Sequence, residues 1–170
     1  MRRIVLFGMP GSGKSTQGQK LAVDLHCPWI STGELLRASK EAWVQEKLKT
    51  SELFDDHIVL KLLKDAIGSS TDVIIDGFPR NRDQAKMAIE ELGVTEIIEL
   101  TVPDEQVIER MSERGREQDR VDIAKQRIED YKATRRDIEE VFWEHGMEIK
   151  RVDGVGTIDE VYERVKEVAL

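Results

Sequence analysis

The sequence predicts an α/β fold, a three-layer, doubly wound parallel sheet of five strands covered by helices on both faces. Three observations carry this. Short apolar, β-branched runs alternate with amphipathic helical segments along the whole chain. Those runs show little polar alternation, as strands do when both faces are covered. The first of them exits directly into a glycine-rich turn that opens a helix, which places a ligand site at the strand C-termini.

The elements follow in order. RRIVLF (2–7), CPWIST (27–32), DVIID (72–76), EIIELTV (96–102) and MEIKRV (147–152) read as strands. Helices begin near Lys14, Gly33, Asp56, Arg82, Asp104, Asp122 and Thr157, with Pro103–Asp104 and Gly156–Thr157 as start signals. Two stretches break the rhythm. The segment 31–71 holds several helices where one crossover would suffice, and is expected to fold over a second ligand. The polar stretch RGREQDRV, 114–121, lies between two helices and reads as a short, mobile flap.

At 170 residues the chain is expected to be one domain, 1–170, with 35% charged and 39% hydrophobic residues. No apolar run reaches membrane-spanning length, Met1 leads straight into a strand, and Cys27 has no intrachain partner. A cytoplasmic monomer is expected, without membrane contacts. A net charge of −8 argues against a nucleic acid partner.

The turn after the first strand, GMPGSGKSTQ, has the spacing G-x-x-x-x-G-K-S, with Gly8, Gly13, Lys14 and Ser15 in the fixed positions. Glycines let backbone N–H groups converge on an anion, and the helix that follows aims its free N–H groups and dipole at the same point. Lys14 suits the outer phosphates and Ser15 suits magnesium. Gly11, Ser12, Gly13, Lys14, Ser15 and Thr16 are therefore candidates to bind a nucleoside triphosphate.

Arginines supply the rest of the site. Arg127 lies on or beside the inward stripe of the long helix from Asp122, with Arg120 two turns earlier; Arg110 and Arg114 share a face of the preceding helix. As a group beside a phosphate loop they suit charge moving between two phosphates. Arg135 and Arg136 read instead as a solvated face. DVIIDGFPR ends a strand in Asp76, a carboxylate placed for magnesium or its waters, followed by Gly77, Phe78, Pro79 and Arg80.

Taken together, GMPGSGKST, STGELLR, DGFPRNRDQA and RGREQDRVDIAKQRIEDY resemble, in order and separation, the adenylate kinase family, the nucleoside monophosphate kinases of short-lid type. The resemblance covers nearly the whole chain. It implies MgATP and AMP as substrates, two ADP as products, and no lid zinc. Lys14 then resembles the lysine that follows the transferred group. Thr32 and Gln84 resemble contacts to the acceptor adenine, Arg37 and Arg80 contacts to its phosphate, and Leu53, Phe54 and Gly77 further acceptor contacts. Arg110 resembles the arginine stacked on the ATP adenine, Gly156 part of the loop facing that base. Arg114, Arg120 and Arg127 resemble the phosphate clamp. Glu34 stands where the family carries aspartate, and Ser51, Phe54, Asp55 and His57 alter the turn that commonly reads G-x-L-V-P-D-E-I. The competing readings are a pyrimidine monophosphate kinase, whose relatives carry alanine and asparagine at the Thr32 and Gln84 positions, a kinase for another metabolite, and a nucleotide-binding switch without catalysis.

Overall fold

The computed structural model describes residues 1–50, 53–115 and 121–170. The strands are β1 (Arg3–Gly8), β2 (Trp29–Ser31), β3 (Val73–Asp76), β4 (Glu96–Thr101) and β5 (Ile149–Asp153). The helices are α1 (Lys14–Asp24), α2 (Thr32–Ala38), α3 (Ala42–Lys47), α4 (Asp56–Ile67), α5 (Arg82–Glu90), α6 (Asp104–Arg114), α7 (Val121–Glu144) and α8 (Ile158–Ala169). All five strands run parallel in the order β2-β3-β1-β4-β5. From β1 the chain crosses to the edge strand β2, returns to β3 beside β1, then crosses to β4 on the other side. Such a reversal opens a crevice beyond the strand C-termini, and β1 delivers the glycine-rich turn into it.

Alternate residues of the strands build two separate cores, because successive side chains leave a strand on opposite faces. Val5, Phe7, Ile75 and Ile97 join Leu63, Ala85, Val141 and Phe142 of α4, α5 and α7. Ile4, Leu6, Ile74, Ile98 and Leu100 join Leu21 of α1 with Val161 and Val165 of α8. A smaller cluster of Val107, Met111, Ala124 and Ile128 seats the start of α7 on α6.

Local caps fix where helices begin. Ser31 accepts from the Glu34 N–H, so α2 starts one residue before the expected Gly33. Thr157 and Glu160 form a reciprocal capping box, which makes Thr157 the cap and Ile158 the first helical residue. Asn81 caps α5 through the Gln84 N–H. Between β2 and β3 lie α2, α3 and α4, the helical excursion expected from 31–71. Of the flap expected at 114–121, Arg114 ends α6 and Val121 begins α7, while 116–120, Arg120 among them, lie outside the described residues. Among the described residues no helix is long and apolar enough to cross a membrane.

Candidate active site

A cleft of about 740 Å³ opens at the strand C-termini. Its floor is the turn after β1 and the start of α1. The exit of β3 forms one side, α2, α3 and the segment before α4 another, and α6 with α7 the opposite wall.

At the floor, Lys14 folds back over the turn, and its Nζ donates to the carbonyls of Gly8 (2.8 Å) and Met9 (2.6 Å). Burial pushes its pKa down to about 8, opposed by Asp76, and Arg80, Arg127 and Arg114 press it further down. The ammonium thus stands in a cationic field that an anion would relieve. Beside it Ser15 Oγ donates to Asp76 Oδ2 at 2.6 Å. These two oxygens face the cleft from α1 and β3, a donor set of the type a hard divalent cation takes.

The exit of β3 is built around Gly77, whose φ of +82° is open to few other residues. A Cβ there would come within 2.5 Å of Thr32 Oγ1 and 3.4 Å of Arg80 Nη2. Arg80 turns back, its Nε donating to the Gly77 carbonyl at 2.9 Å, and its backbone N–H donates to Gln84 Oε1 at 2.8 Å. Loss of hydration lowers the Arg80 pKa, against the pull of Asp76.

Gly11, Gly13, Lys14, Ser15, Thr16, Arg37, Leu53, Phe54, Asp76, Gly77, Arg80, Arg110, Arg114 and Arg127 all line this one cleft. Ser12 is buried beneath the turn. Thr32 is buried too, and its hydroxyl donates to the Gly77 carbonyl (2.9 Å) rather than facing the cleft. Gln84 is only 2% exposed, and both ends of its amide are engaged: Oε1 by Arg80, Nε2 by donation to Asp56 Oδ1 at 2.7 Å. It therefore acts on the cleft through Arg80 in this structure. Gln84→Ala is expected to destabilise the fold by about 1 kcal/mol, since the Arg80 backbone N–H loses its acceptor and Asp56 is left with its Asn81 donor, and to raise the KM for AMP. Thermal unfolding and AMP titration check both effects.

Arg110 bridges the glycine-rich turn and the β5–α8 loop, with Nη1 donating to the Ser12 carbonyl (3.4 Å) and Nη2 to that of Gly154 (3.0 Å). Gly156 lies away from the cleft lining, against Glu160 and Arg164. The glycine that packs on the turn is Gly154, where a Cβ would meet Val102 Cγ2 at 2.6 Å and the Ser12 carbonyl at 3.3 Å. Sequence reasoning passed over Gly154, although the doubled glycine of VDGVG is a visible signal. It also passed over Tyr131 and Lys47, which line the cleft. Arg135 is not the solvated residue expected: it pairs with buried Glu99, while Arg136 is 85% exposed beside Glu140. No helical period exposes that difference, because Glu99 lies on another element.

A polyphosphate cradle that faces arginines across one cleft is the layout of a P-loop phosphotransferase with two ligand subsites. Comparison with known proteins agrees. A family model described as adenylate kinase matches residues 6–147. Proteins named adenylate kinase from Xanthomonas euvesicatoria and Mycolicibacterium vanbaalenii are 38% and 34% identical to the chain. The first alignment covers 97% of both proteins, the second 95% of this chain and 96% of the relative. A third, from Xylella fastidiosa, is 35% identical over 96% of each. The chain belongs to the adenylate kinase family. Its chemistry is that of a nucleoside monophosphate kinase.

Proposed function

We propose that this chain transfers the terminal phosphoryl group of ATP reversibly to AMP, giving two ADP, with the work divided among the residues of the cleft. The observation that carries this reading is the convergence of Lys14, Arg37, Arg80, Arg114 and Arg127 on one cleft from four helices and the loop after β3. N–H groups of the turn from Gly11 to Thr16 hold the donor phosphates. Arg37 and Arg80 hold the acceptor phosphate as charge-assisted pairs, with Leu53 and Phe54 walling the acceptor base. Arg114 and Arg127, joined by Arg120, neutralise the group in transit, and Arg110 flanks the donor base. The acceptor phosphate is itself the nucleophile, so no side chain has to remove a proton from it. Alignment, charge neutralisation and exclusion of water account for the rate. Ser15 and Asp76 would hold magnesium, directly or through its waters; bound there, the ion would neutralise charge on the phosphate oxygens. The reading includes a cytoplasmic monomer acting on small molecules alone.

ADP formation from MgATP with AMP, GMP, CMP and UMP in turn tests the proposal. AMP is expected to be the best acceptor by a wide margin; faster turnover of a pyrimidine monophosphate would assign the chain to the other branch of the family. The Lys14 field gives a second check. Near pH 9 the ligand-free lysine is largely neutral, and bound phosphates would hold it charged, so ATP binding there should take up a proton. Below pH 7 the lysine is charged in both states and no uptake from it is expected. Calorimetry in buffers of different ionisation enthalpy reads the difference.

A further inference from the structure

Helix α7 carries Arg127 into the cleft, and beside its apolar contacts a polar network ties this helix to the sheet. Ile97 of β4 faces the core beneath α7, so Glu99, two residues on, faces the same way. Glu99 is 1% exposed, and a carboxylate buried so deeply must be paired. Tyr131 Oη donates to its Oε1 at 2.8 Å, and Arg135 donates to both oxygens, through Nε at 2.7 Å and Nη2 at 3.0 Å. From β5, Arg151 Nε adds a fourth bond at 2.9 Å and passes its Nη2 on to Glu139 of α7 at 2.8 Å. Burial and the Glu99 charge push the Tyr131 pKa up, so the phenol remains a donor. Its ring lies 5.4 Å from that of Phe7, the residue paired with Glu99 across the sheet, and both rings line the cleft. Arg127 is one turn before Tyr131 on the same flank of the helix.

We infer that Glu99 is a positioning residue for phosphoryl transfer: by gathering Tyr131, Arg135 and Arg151 it sets the rotation and register of α7, and with them the place of Arg127. Apolar packing alone is non-directional and tolerates sliding. A carboxylate engaged by donors from two turns of α7 and from β5 is satisfied in one arrangement. A slip of one residue would turn α7 by about 100° and carry Arg127 out of the cleft. The inference rests on the phosphate-binding role proposed for Arg127.

The test compares Glu99→Gln with Glu96→Gln. Glu96 is a control on the same strand, held by Arg2 (2.7 Å) and Lys150 (3.1 Å), but at the strand start, away from the cleft. Glu99→Gln is expected to lower kcat about ten- to a hundredfold, the scale of a small misplacement, and to leave KM for ATP within about twofold. Glu96→Gln should lower the melting temperature and leave kcat unchanged. In the Arg127→Ala background, Glu99→Gln should cause no further loss of kcat. Wild-type kcat in Glu99→Gln, or losses that multiply in the double variant, would overturn the inference. If Glu99→Gln does not fold, Tyr131→Phe decides: reduced kcat supports the inference and wild-type kcat rejects it. Arg127→Ala separates the two readings. Wild-type activity in that variant removes the phosphate role itself, whereas a slow Arg127→Ala beside a fully active Glu99→Gln leaves that role standing and removes only the positioning.

Discussion

Lys14→Met is expected to cut ADP formation by more than a hundredfold, about 2.7 kcal/mol on the barrier, without lowering the melting temperature. The two halves of that result have one origin. Among the described residues the Lys14 ammonium donates to two carbonyls and, at longer range, a hydroxyl, in a field shared with Asp76, Arg80, Arg127 and Arg114. Its pKa is lowered on folding, from an ordinary 10.5 to about 8. A lysine whose folded pKa is depressed costs stability wherever it is charged, and the cost fades as pH rises from 8 towards 10.5. Removing the charge at neutral pH should therefore leave the ligand-free fold as stable as before, or more stable. The transferred phosphoryl group would lose the cation that rises from the floor of its cradle. Initial rates with MgATP and AMP, beside thermal unfolding of the free protein, read both effects. A rate above about a tenth of wild type would reject the assigned role, since a direct charge contact in the transition state contributes more than that.

What could be read in the sequence was whatever is periodic or contiguous. Five apolar runs and the helical periods between them gave the parallel sheet, since β1, β3 and β4 are buried on both faces and so keep their signature in any order. The strand, glycine turn and helix around Lys14 form one contiguous stretch, and their geometry is local. Arg80, Arg110, Arg114 and Arg127 were legible as cleft residues because each sits near the end of an element or on a helix stripe, whereas Arg37 was named only by the family resemblance. The orientation of Gln84 was not legible. Whether its amide faces a base or the protein depends on Asp56, 28 residues away on the other side of β3. The Glu99 network was hidden for the same reason: a glutamate in EIIELTV breaks an apolar run, and its partners come from α7 and β5. Long-range polar pairing leaves no period to read.

Arg80→Ala is expected to lower kcat/KM for AMP by more than a hundredfold, again about 2.7 kcal/mol, while ATP affinity changes far less. The structure holds this side chain more firmly than a surface arginine. Gly77 supplies the turn that no Cβ would permit beside Thr32, the Gly77 carbonyl accepts from Arg80 Nε, and Gln84 receives the Arg80 backbone N–H. Part of its rotamer freedom is thus already lost before a phosphate arrives, so more of a charge-assisted pair should appear as binding. Arg80→Lys should recover only part of the loss, because an ammonium keeps the charge but neither the Nε bond to Gly77 nor the planar fork. The two variants also report on Lys14. Arg80 is one of the cations that press the Lys14 pKa down, so alanine at this position should raise that pKa and move proton uptake on ATP binding to higher pH, whereas lysine should leave it nearly in place. Titration calorimetry with ATP alone and steady-state kinetics in AMP measure these effects separately. An equal loss of ATP and AMP affinity in Arg80→Ala would put the guanidinium on the donor side of the cleft and overturn its assignment to the acceptor phosphate.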